Sequence, residues 1–172
     1  MGSVGKSSVW AAANEIYTSV PFHTENLTFE KAIAEYSNYD YNYNDYISEE
    51  IEKRGGTPAE NLYRGLNFKT DPTSRQYSYY ERELKDKKVG DIISSDQISS
   101  FDTQEQKAKQ FADSFGDIKI MLHLVNNTKA LNVSKYSTSW LENEYIAPKN
   151  TKYRITRIYN KGSVVYYDIE EA

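Results

Sequence analysis

The chain has 172 residues and a formal net charge of −4, with a sequence pI near 5.3. This length is enough for one domain with a sizeable core. The interleaved acidic and basic residues exclude a strong overall attraction to nucleic acid or to anionic membranes. The absence of cysteine excludes a disulfide framework and a thiolate metal site. No stretch has the roughly 20 apolar residues of a membrane span, so we expect no membrane association.

Three segments in the front third have apolar residues at helical spacing. Asn26 or Thr28 is a candidate N-cap for the second segment, and Gly55 follows the third as a C-terminal stop signal. The predicted helices lie within residues 8–19, 26–37 and 43–56.

The rest of the chain consists mainly of short β-branched and aromatic runs bounded by Gly, Asn, Pro or Asp. One predicted helix interrupts them at residues 103–115, with Ala108, Phe111 and Ala112 on its inner face. Helices followed by strands indicate an α+β fold. We therefore expect one domain over residues 1–172, helical at 8–56 and mainly β at 60–170. The predicted strands lie within residues 61–68, 91–102, 118–125, 129–136, 144–159 and 163–171.

The glycines of "GSVGKSS", residues 2–8, invite comparison with a phosphate-binding loop. Such a loop needs four residues between its glycines and a preceding strand, and this segment has two residues and no room for a strand. The two histidines, His23 and His123, show no metal-ligand spacing, so we predict structural roles for both and no metal site.

Arg64 lies inside the apolar run "LYRGL" and is followed by Gly65. A buried guanidinium needs an anionic partner, which is either a structural carboxylate or a bound phosphate or pyrophosphate. The glycine allows another group to approach the backbone closely. Ser99 and Ser100 end a later β-run with no Asp-His pair near them in sequence, which argues against a serine hydrolase.

Glu142 and Glu144, in "LENEYIAPKNTKYRI", form a Glu-x-Glu pair. On a strand, residues i and i+2 project from the same face. Two carboxylates so placed repel each other, and one tends to need a hydrogen-bond donor or to have a raised pKa. In isolation such a pair is more often surface decoration than catalytic.

Three segments, in this order, resemble the Arg-Ser-Glu class of mono-ADP-ribosyltransferases: "LYRG", "ISSFDTQEQKAKQFA" and "LENEYIAPKNTKYRI". The resemblance covers residues from about 28 to 170, and its strongest element is the Glu-x-Glu block. The segments "LYRGL" and "VVYYDIEE" look most like the small Alt and Mod transferases of T-even bacteriophages. The class implies helices packed on two small antiparallel β-sheets around an NAD cleft.

The middle element departs from the Phe-x-Ser-Thr-Ser pattern of the class. Alignment on the following helix puts Ile98 at the aromatic position and Ser100 at the first serine, while Phe101 and Asp102 replace the Thr and the second Ser. A literal Ser-Thr-Ser occurs at residues 137–139, where the class has its substrate-recognition turn. We interpret that occurrence as coincidence and assign the serine role to Ser100.

By resemblance, Arg64 binds the NAD phosphates, and Gly65 offers backbone hydrogen bonds to the nicotinamide amide. Phe111 stacks on the nicotinamide, and Ser100 orients Glu144. Glu144 bonds the 2′-hydroxyl of the ribose that carries nicotinamide. Together with Glu142, these residues are the predicted site.

The acceptor residue follows from the second carboxylate. A guanidinium is a poor nucleophile until it is oriented and loses a proton, because its pKa lies above about 12. Glu142 in the role of base therefore favours arginine over asparagine or water. Trp140, in the preceding turn, is a candidate contact for the protein substrate.

The sequence thus predicts an NAD-dependent protein-arginine ADP-ribosyltransferase that releases nicotinamide. We expect a phage-encoded monomer that modifies target proteins in the host bacterial cytoplasm, or alternatively a secreted bacterial toxin. Nucleic acid as acceptor is the lesser option. The altered "SFD" keeps open the alternative of a non-catalytic binding module of the same fold that holds a nucleotide or a protein. An NAD glycohydrolase is a third possibility.

Overall fold

The computed structural model describes residues 26–136 and 143–172. Residues 32–172 form one compact unit. The first predicted helix, at residues 8–19, lies outside the described residues. So do His23 and the glycine-rich start of the chain.

Four α-helices occur among the described residues. Thr28 caps the first, since its Oγ1 accepts a hydrogen bond from the Lys31 amide at 3.2 Å. The second ends where predicted, because Gly55 adopts a φ of +81° and donates its N–H to the Ile51 carbonyl. The helices are α1 (Phe29–Ser37), α2 (Asn44–Arg54), α3 (Arg75–Glu83) and α4 (Glu105–Ala112).

The described strands form one eight-stranded sheet in the spatial order β2-β7-β8-β4-β1-β3-β6-β5. Their bounds are β1 (Ala59–Phe68), β2 (Ile92–Ile93), β3 (Ser99–Asp102), β4 (Ile118–Asn127), β5 (Leu131–Asn132), β6 (Glu144–Ala147), β7 (Tyr153–Lys161) and β8 (Val164–Glu171). The α+β fold class is confirmed.

The sheet consists of two groups of strands joined at one place. Strands β2, β7, β8, β4 and β1 form the larger group, and strands β3, β6 and β5 form the smaller group. In the described structure, the register between β1 and β3 contains one pair, Tyr63 opposite Asp102. The two expected sheets correspond to these two groups. The expectation of wholly antiparallel pairing is wrong for β4 and β8, which run parallel from Ile120 to Leu124.

One face of the sheet carries the largest described hydrophobic cluster, which includes Leu62, Phe101, Leu122 and Ile155. This cluster spans both groups of strands, since Phe101 belongs to β3 while Leu62 belongs to β1. Burial of apolar side chains therefore holds the groups together where backbone pairing is sparse.

Helix α4 packs directly on strand β1. A Cβ added to Gly65 would lie 2.1 Å from the Ala108 carbonyl oxygen, so only glycine permits this approach. The predicted close approach at Gly65 is thus present, and the approaching group is the backbone of α4. Ala108 and Ala112 are buried, but Phe111 is 62% exposed. Its assignment to the inner face of this helix was wrong, because most of the side chain is exposed to solvent.

Two local predictions also require correction. Residues 129–136 were predicted as a strand, but the strand is limited to Leu131–Asn132 and is followed by a 3-10 turn at Ser134–Tyr136. Helix α3 was not predicted at all. It begins after Ser74, whose Oγ accepts the Tyr77 amide hydrogen, and none of its residues is fully buried.

Candidate active site

Three neighbouring strands bring Arg64, Ser100 and Glu144 to one place in the sheet. Strand β1 carries Arg64, β3 carries Ser100, and β6 carries Glu144. These strands are consecutive in the spatial order. The Ser100 position pairs with Ile146, two residues beyond Glu144 on the same face of β6. Three of the four residues predicted to be catalytic are therefore neighbours, although they are distant in sequence.

Ser100 connects the other members of this site. Its backbone carbonyl accepts a hydrogen bond from Arg64 Nη1 at 3.0 Å. Its hydroxyl lies 2.5 Å from the Tyr36 hydroxyl, and it favours the ionised form of Glu144 on the neighbouring strand β6. A single serine thus contacts the Arg64 guanidinium and a tyrosine of helix α1, and it also influences the Glu144 carboxyl group.

The environment of Glu144 raises the pKa of its carboxyl group to about 7. Burial is the main cause, because it disfavours the charged form, and the negative charge of Asp102 adds to the effect. The Ser100 hydrogen bond and the positive charges of Lys107 and Arg64 act in the opposite direction. A carboxyl group with this pKa is only partly ionised near neutral pH, and such perturbed pKa values are common at catalytic sites.

Asp102 occupies the place of the second serine in the pattern of the class. It lies directly opposite Glu144 in the antiparallel pairing and is 7% exposed. Its Oδ1 accepts the Gln104 amide hydrogen at 2.7 Å, and Lys107 Nζ lies 3.4 Å from its Oδ2. Contacts at the start of α4 thus offset part of the negative charge of Asp102.

Arg64 projects from the face of β1 that also carries Leu62 and Leu66, two residues along the strand on either side. None of the ion pairs found among the described residues includes Arg64, so the structural-carboxylate interpretation has no support there. The Arg64 charge acts instead on Tyr79 and Tyr153. Burial raises the pKa of both tyrosines, and the positive charge of Arg64 reduces this increase. Arg64 therefore has further N–H groups that can donate hydrogen bonds to an anion.

The other predicted residues have different positions. Gly65 follows Arg64 on β1. In the described structure, the edge of β1 that faces β3 pairs with it at Tyr63, and the residues of β1 after Tyr63 have no partner on that side. Phe111 is exposed on α4, the helix that packs on Gly65. Glu142, Trp140 and the Ser-Thr-Ser at residues 137–139 lie outside the described residues.

The structural role predicted for His123 agrees with its contacts. Its Nδ1 lies 3.0 Å from Asp168 Oδ1, and its Nε2 lies 2.8 Å from Asn61 Oδ1. The ring also stacks on Tyr63 at a centroid distance of 4.7 Å. In the part of the chain that the structure describes, no cluster of three His, Asp or Glu side chains is arranged to bind a metal ion.

A cleft of about 530 Å³ lies elsewhere, at the C-terminal end of α2 and the loop between β6 and β7. It contains none of the predicted site residues. A separate, narrow cavity is lined in part by Arg64, Ser99 and Phe101. Among the described residues, no helix is long and apolar enough to cross a membrane.

Several solved structures that match this architecture are described as ADP-ribosyltransferases. The Vis toxin from Vibrio splendidus matches with a TM-score of 0.61 and 18% identity, over 86% of this chain and 75% of that chain. Exoenzyme S from Pseudomonas aeruginosa, in complex with human 14-3-3 protein beta and bound to Carba-NAD, matches with a TM-score of 0.55 and 15% identity, over 87% and 68%. C3larvin toxin from Paenibacillus larvae matches with a TM-score of 0.52 and 20% identity, over 87% and 90%.

The fold is thus that of the ADP-ribosyltransferases. A family model described as "Bacteriophage T4 Mod ADP-ribosyltransferase" matches residues 17–167. The chain belongs to this family of transferases, which use NAD as their substrate. No curated protein gave a significant sequence match. The resemblance noted from the sequence and the NAD prediction are both confirmed at the level of the family.

Proposed function

We propose that this protein transfers ADP-ribose from NAD to an arginine side chain of a target protein and releases nicotinamide. The observation that carries the proposal is the position of Ser100. Its carbonyl accepts a hydrogen bond from Arg64, and its hydroxyl favours the ionised form of Glu144 on the paired strand β6. The Arg64 guanidinium and the Glu144 carboxylate lie on the two strands that flank the Ser100 strand. Their opposite charges match the negative pyrophosphate and the positive nicotinamide of NAD.

Glu144 supplies the electrostatic part of the reaction. When the bond between nicotinamide and ribose breaks, its electron pair leaves with nicotinamide, and positive charge builds on the ribose as in other glycoside cleavages. An ionised carboxylate that is already in place lowers the energy of this state. Glu144 bonds the ribose 2′-hydroxyl, and the Ser100 hydroxyl favours its ionised form. The cationic ring of bound NAD acts in the same direction.

Arg64, Gly65 and Phe111 hold the dinucleotide. The free N–H groups of Arg64 bond the phosphate oxygens, for which a planar guanidinium is well suited. The β1 edge near Gly65 carries backbone groups for the nicotinamide amide. The exposed Phe111 ring offers an apolar face on which nicotinamide stacks.

Arginine is the proposed acceptor because of Glu142, two residues before Glu144. In this role Glu142 removes a proton from the guanidinium while a guanidinium nitrogen forms the new bond to the ribose C1′, so that charge and protons balance. Trp140 contacts the protein substrate. One related structure, the Vis transferase, is described in complex with agmatine, a small guanidinium compound.

The family indicates a host-cell enzyme, and we propose that it acts on proteins in the cytoplasm of an infected bacterium. The test is incubation of the protein with NAD labelled in the adenine half and a bacterial lysate. Transfer of label to protein, lost in Glu144→Gln and kept in the exposed carboxylate control Glu170→Gln, is the expected result. Mass spectrometry of the labelled protein identifies the acceptor residue.

Two other results would reject the proposal. Nicotinamide release without protein labelling, in a lysate that supports a known transferase, would indicate an NAD glycohydrolase. Binding of NAD without either product, in folded protein, would indicate a binding module. Label on asparagine or on nucleic acid would keep the transferase chemistry and overturn the arginine assignment.

A further inference from the structure

The Ser100 hydroxyl has a single hydrogen and two candidate acceptors for it. One is the Tyr36 hydroxyl at 2.5 Å. The other is the Glu144 carboxylate on the paired strand β6, whose ionised form the Ser100 hydroxyl favours. An ionised carboxylate can only accept hydrogen bonds, whereas a tyrosine hydroxyl can either donate or accept. Whenever Glu144 is charged, Ser100 therefore has to donate to Glu144 and accept from Tyr36.

We propose that Tyr36 is a positioning residue that donates its hydroxyl hydrogen to Ser100 and thereby fixes the Ser100 hydrogen on Glu144. Without this donor, the serine hydroxyl rotates among several acceptors, including nearby backbone carbonyls. With it, the three groups form a directed row from Tyr36 through Ser100 to Glu144. Hydrogen bonds in such a row polarise one another, so each strengthens the next.

The fold holds the Tyr36 ring in place for this role. Tyr36 lies in the last turn of α1, three residues after the fully buried Ile33 and so on the same helix face. The chain leaves the helix immediately afterwards, where Tyr39 adopts a φ of +65°. The ring edge also packs against Tyr41, at a centroid distance of 5.6 Å. These contacts leave the hydroxyl little freedom of direction.

Tyr36 also remains a donor over the working range of pH. Burial raises the pKa of its hydroxyl, while the Ser100 hydrogen bond and the positive charge of Arg64 act in the opposite direction. The net shift is upward from a value that is already near 10, so the proton stays on Tyr36 when Glu144 gains or loses its own. Tyr36 can therefore donate its hydrogen to Ser100 whenever Glu144 is charged.

The inference deepens the proposed function and rests on it for its kinetic consequences, but its structural part can be measured without activity. We expect Tyr36→Phe to lower kcat for nicotinamide release roughly tenfold, because the hydrogen bond from Ser100 to the charged Glu144 is weakened when Ser100 loses its fixed direction. The KM for NAD should change little. Tyr41→Phe removes the same group from the neighbouring ring and should change neither quantity.

The direct readout is a carbon-13 NMR titration of the Glu144 carboxyl in unliganded protein, assigned by the signal that Glu144→Gln removes. Tyr36→Phe should raise the apparent pKa of Glu144, whereas Tyr41→Phe should leave it unchanged. An unchanged titration in Tyr36→Phe, or an equal shift in both variants, would overturn the inference. Because this readout needs no turnover, its failure is separate from a failure of the transferase assignment.

A mutant cycle distinguishes a role through Ser100 from a general packing role. If Tyr36 acts through Ser100, then Tyr36→Phe should have little further effect in a Ser100→Ala background, and additive effects would reject the row. If Tyr36→Phe does not fold, fluorotyrosine at position 36 keeps the hydroxyl and makes it a stronger donor. The apparent pKa of Glu144 should then fall, and an unmoved titration would contradict the inference.

Discussion

Asp102 lies directly opposite Glu144 in the pairing of β3 with β6, so two carboxyl groups meet across adjacent strands. The negative charge of Asp102 is the second-largest cause of the raised Glu144 pKa, after burial. Lys107 and the Gln104 amide hold Asp102 in place. The unusual "SFD" therefore changes the titration of Glu144 and leaves the position of Ser100 intact.

Replacement of Asp102 by Asn should lower the Glu144 pKa from about 7. The ionised form of Glu144 is the active one, so kcat/KM for NAD cleavage should rise with pH to a plateau above about pH 7 in the original protein. In Asp102→Asn the acidic limb should move to lower pH, as a pH–rate profile will show. Asp45→Asn, which removes an exposed carboxylate bonded to Lys149, is the control. An unmoved limb in Asp102→Asn would contradict this account.

Glu144 should also make the protein less stable at alkaline pH. Its folded pKa of about 7 lies above the unfolded value. The folded state therefore binds the proton more tightly, and this contribution to stability falls as the pH rises from about 4.5 to about 7. Glu144→Gln, which cannot ionise, should raise the free energy of unfolding by about 1 to 3 kcal/mol at pH 8.

Chemical denaturation of the original protein and of Glu144→Gln at pH 5 and pH 8 measures this effect. The difference between the two proteins should be small at pH 5 and should grow at pH 8, since other titrating groups cancel in the comparison. A difference that is equal at both values would mean that Glu144 ionises in the folded protein as it does in the unfolded chain.

The exposed aromatic rings after β3 allow a matched pair of variants. Phe111 is 62% exposed and Phe115 is 80% exposed, so replacing either by Ala should change the stability by less than about 0.5 kcal/mol. We expect Phe111→Ala to raise KM for NAD roughly tenfold through lost stacking on nicotinamide, while Phe115→Ala should not. Steady-state kinetics at varied NAD concentration tests this. Equal effects of the two changes would remove Phe111 from the site.

Replacement of Glu142 and replacement of Glu144 should impair different steps of the reaction. Glu142→Gln should abolish transfer to arginine and leave slow release of nicotinamide, because cleavage of NAD needs Glu144 alone. Agmatine as acceptor, with both products quantified by chromatography, separates the two steps. Loss of both activities to the same extent in Glu142→Gln would show that the two carboxylates act as one unit.

The sequence was sufficient for the elements whose signals are local. Thr28 and Gly55 marked helix ends, and the apolar runs marked most strands. Helix α3 was missed because it has no apolar stripe and its inward contacts are made by tyrosines such as Tyr79 and Tyr80. The parallel pairing of β4 with β8 was missed because strand partners are chosen by the whole fold.

The site residues also divide into those that the sequence could predict and those that depend on the whole fold. The resemblance of three motifs to the transferase class was enough to predict that Arg64, Ser100 and Glu144 belong together, and they lie on consecutive strands. The bond between Tyr36 and Ser100 joins positions 64 residues apart, and no spacing rule anticipates it. Phe111 was placed on the inner face by helical periodicity alone, which does not say where the neighbouring strand lies. The roles of Glu142 and Trp140 remain predictions.

The single register pair between β1 and β3 divides the site between two structural units. Arg64 belongs to the larger group of strands, while Ser100 and Glu144 belong to the smaller group. A small rotation about this joint changes the separation of the guanidinium and the carboxylate without breaking either group. Amide hydrogen exchange should therefore resolve two cooperative units, and NAD, which contacts both, should slow the exchange of each by tying them together.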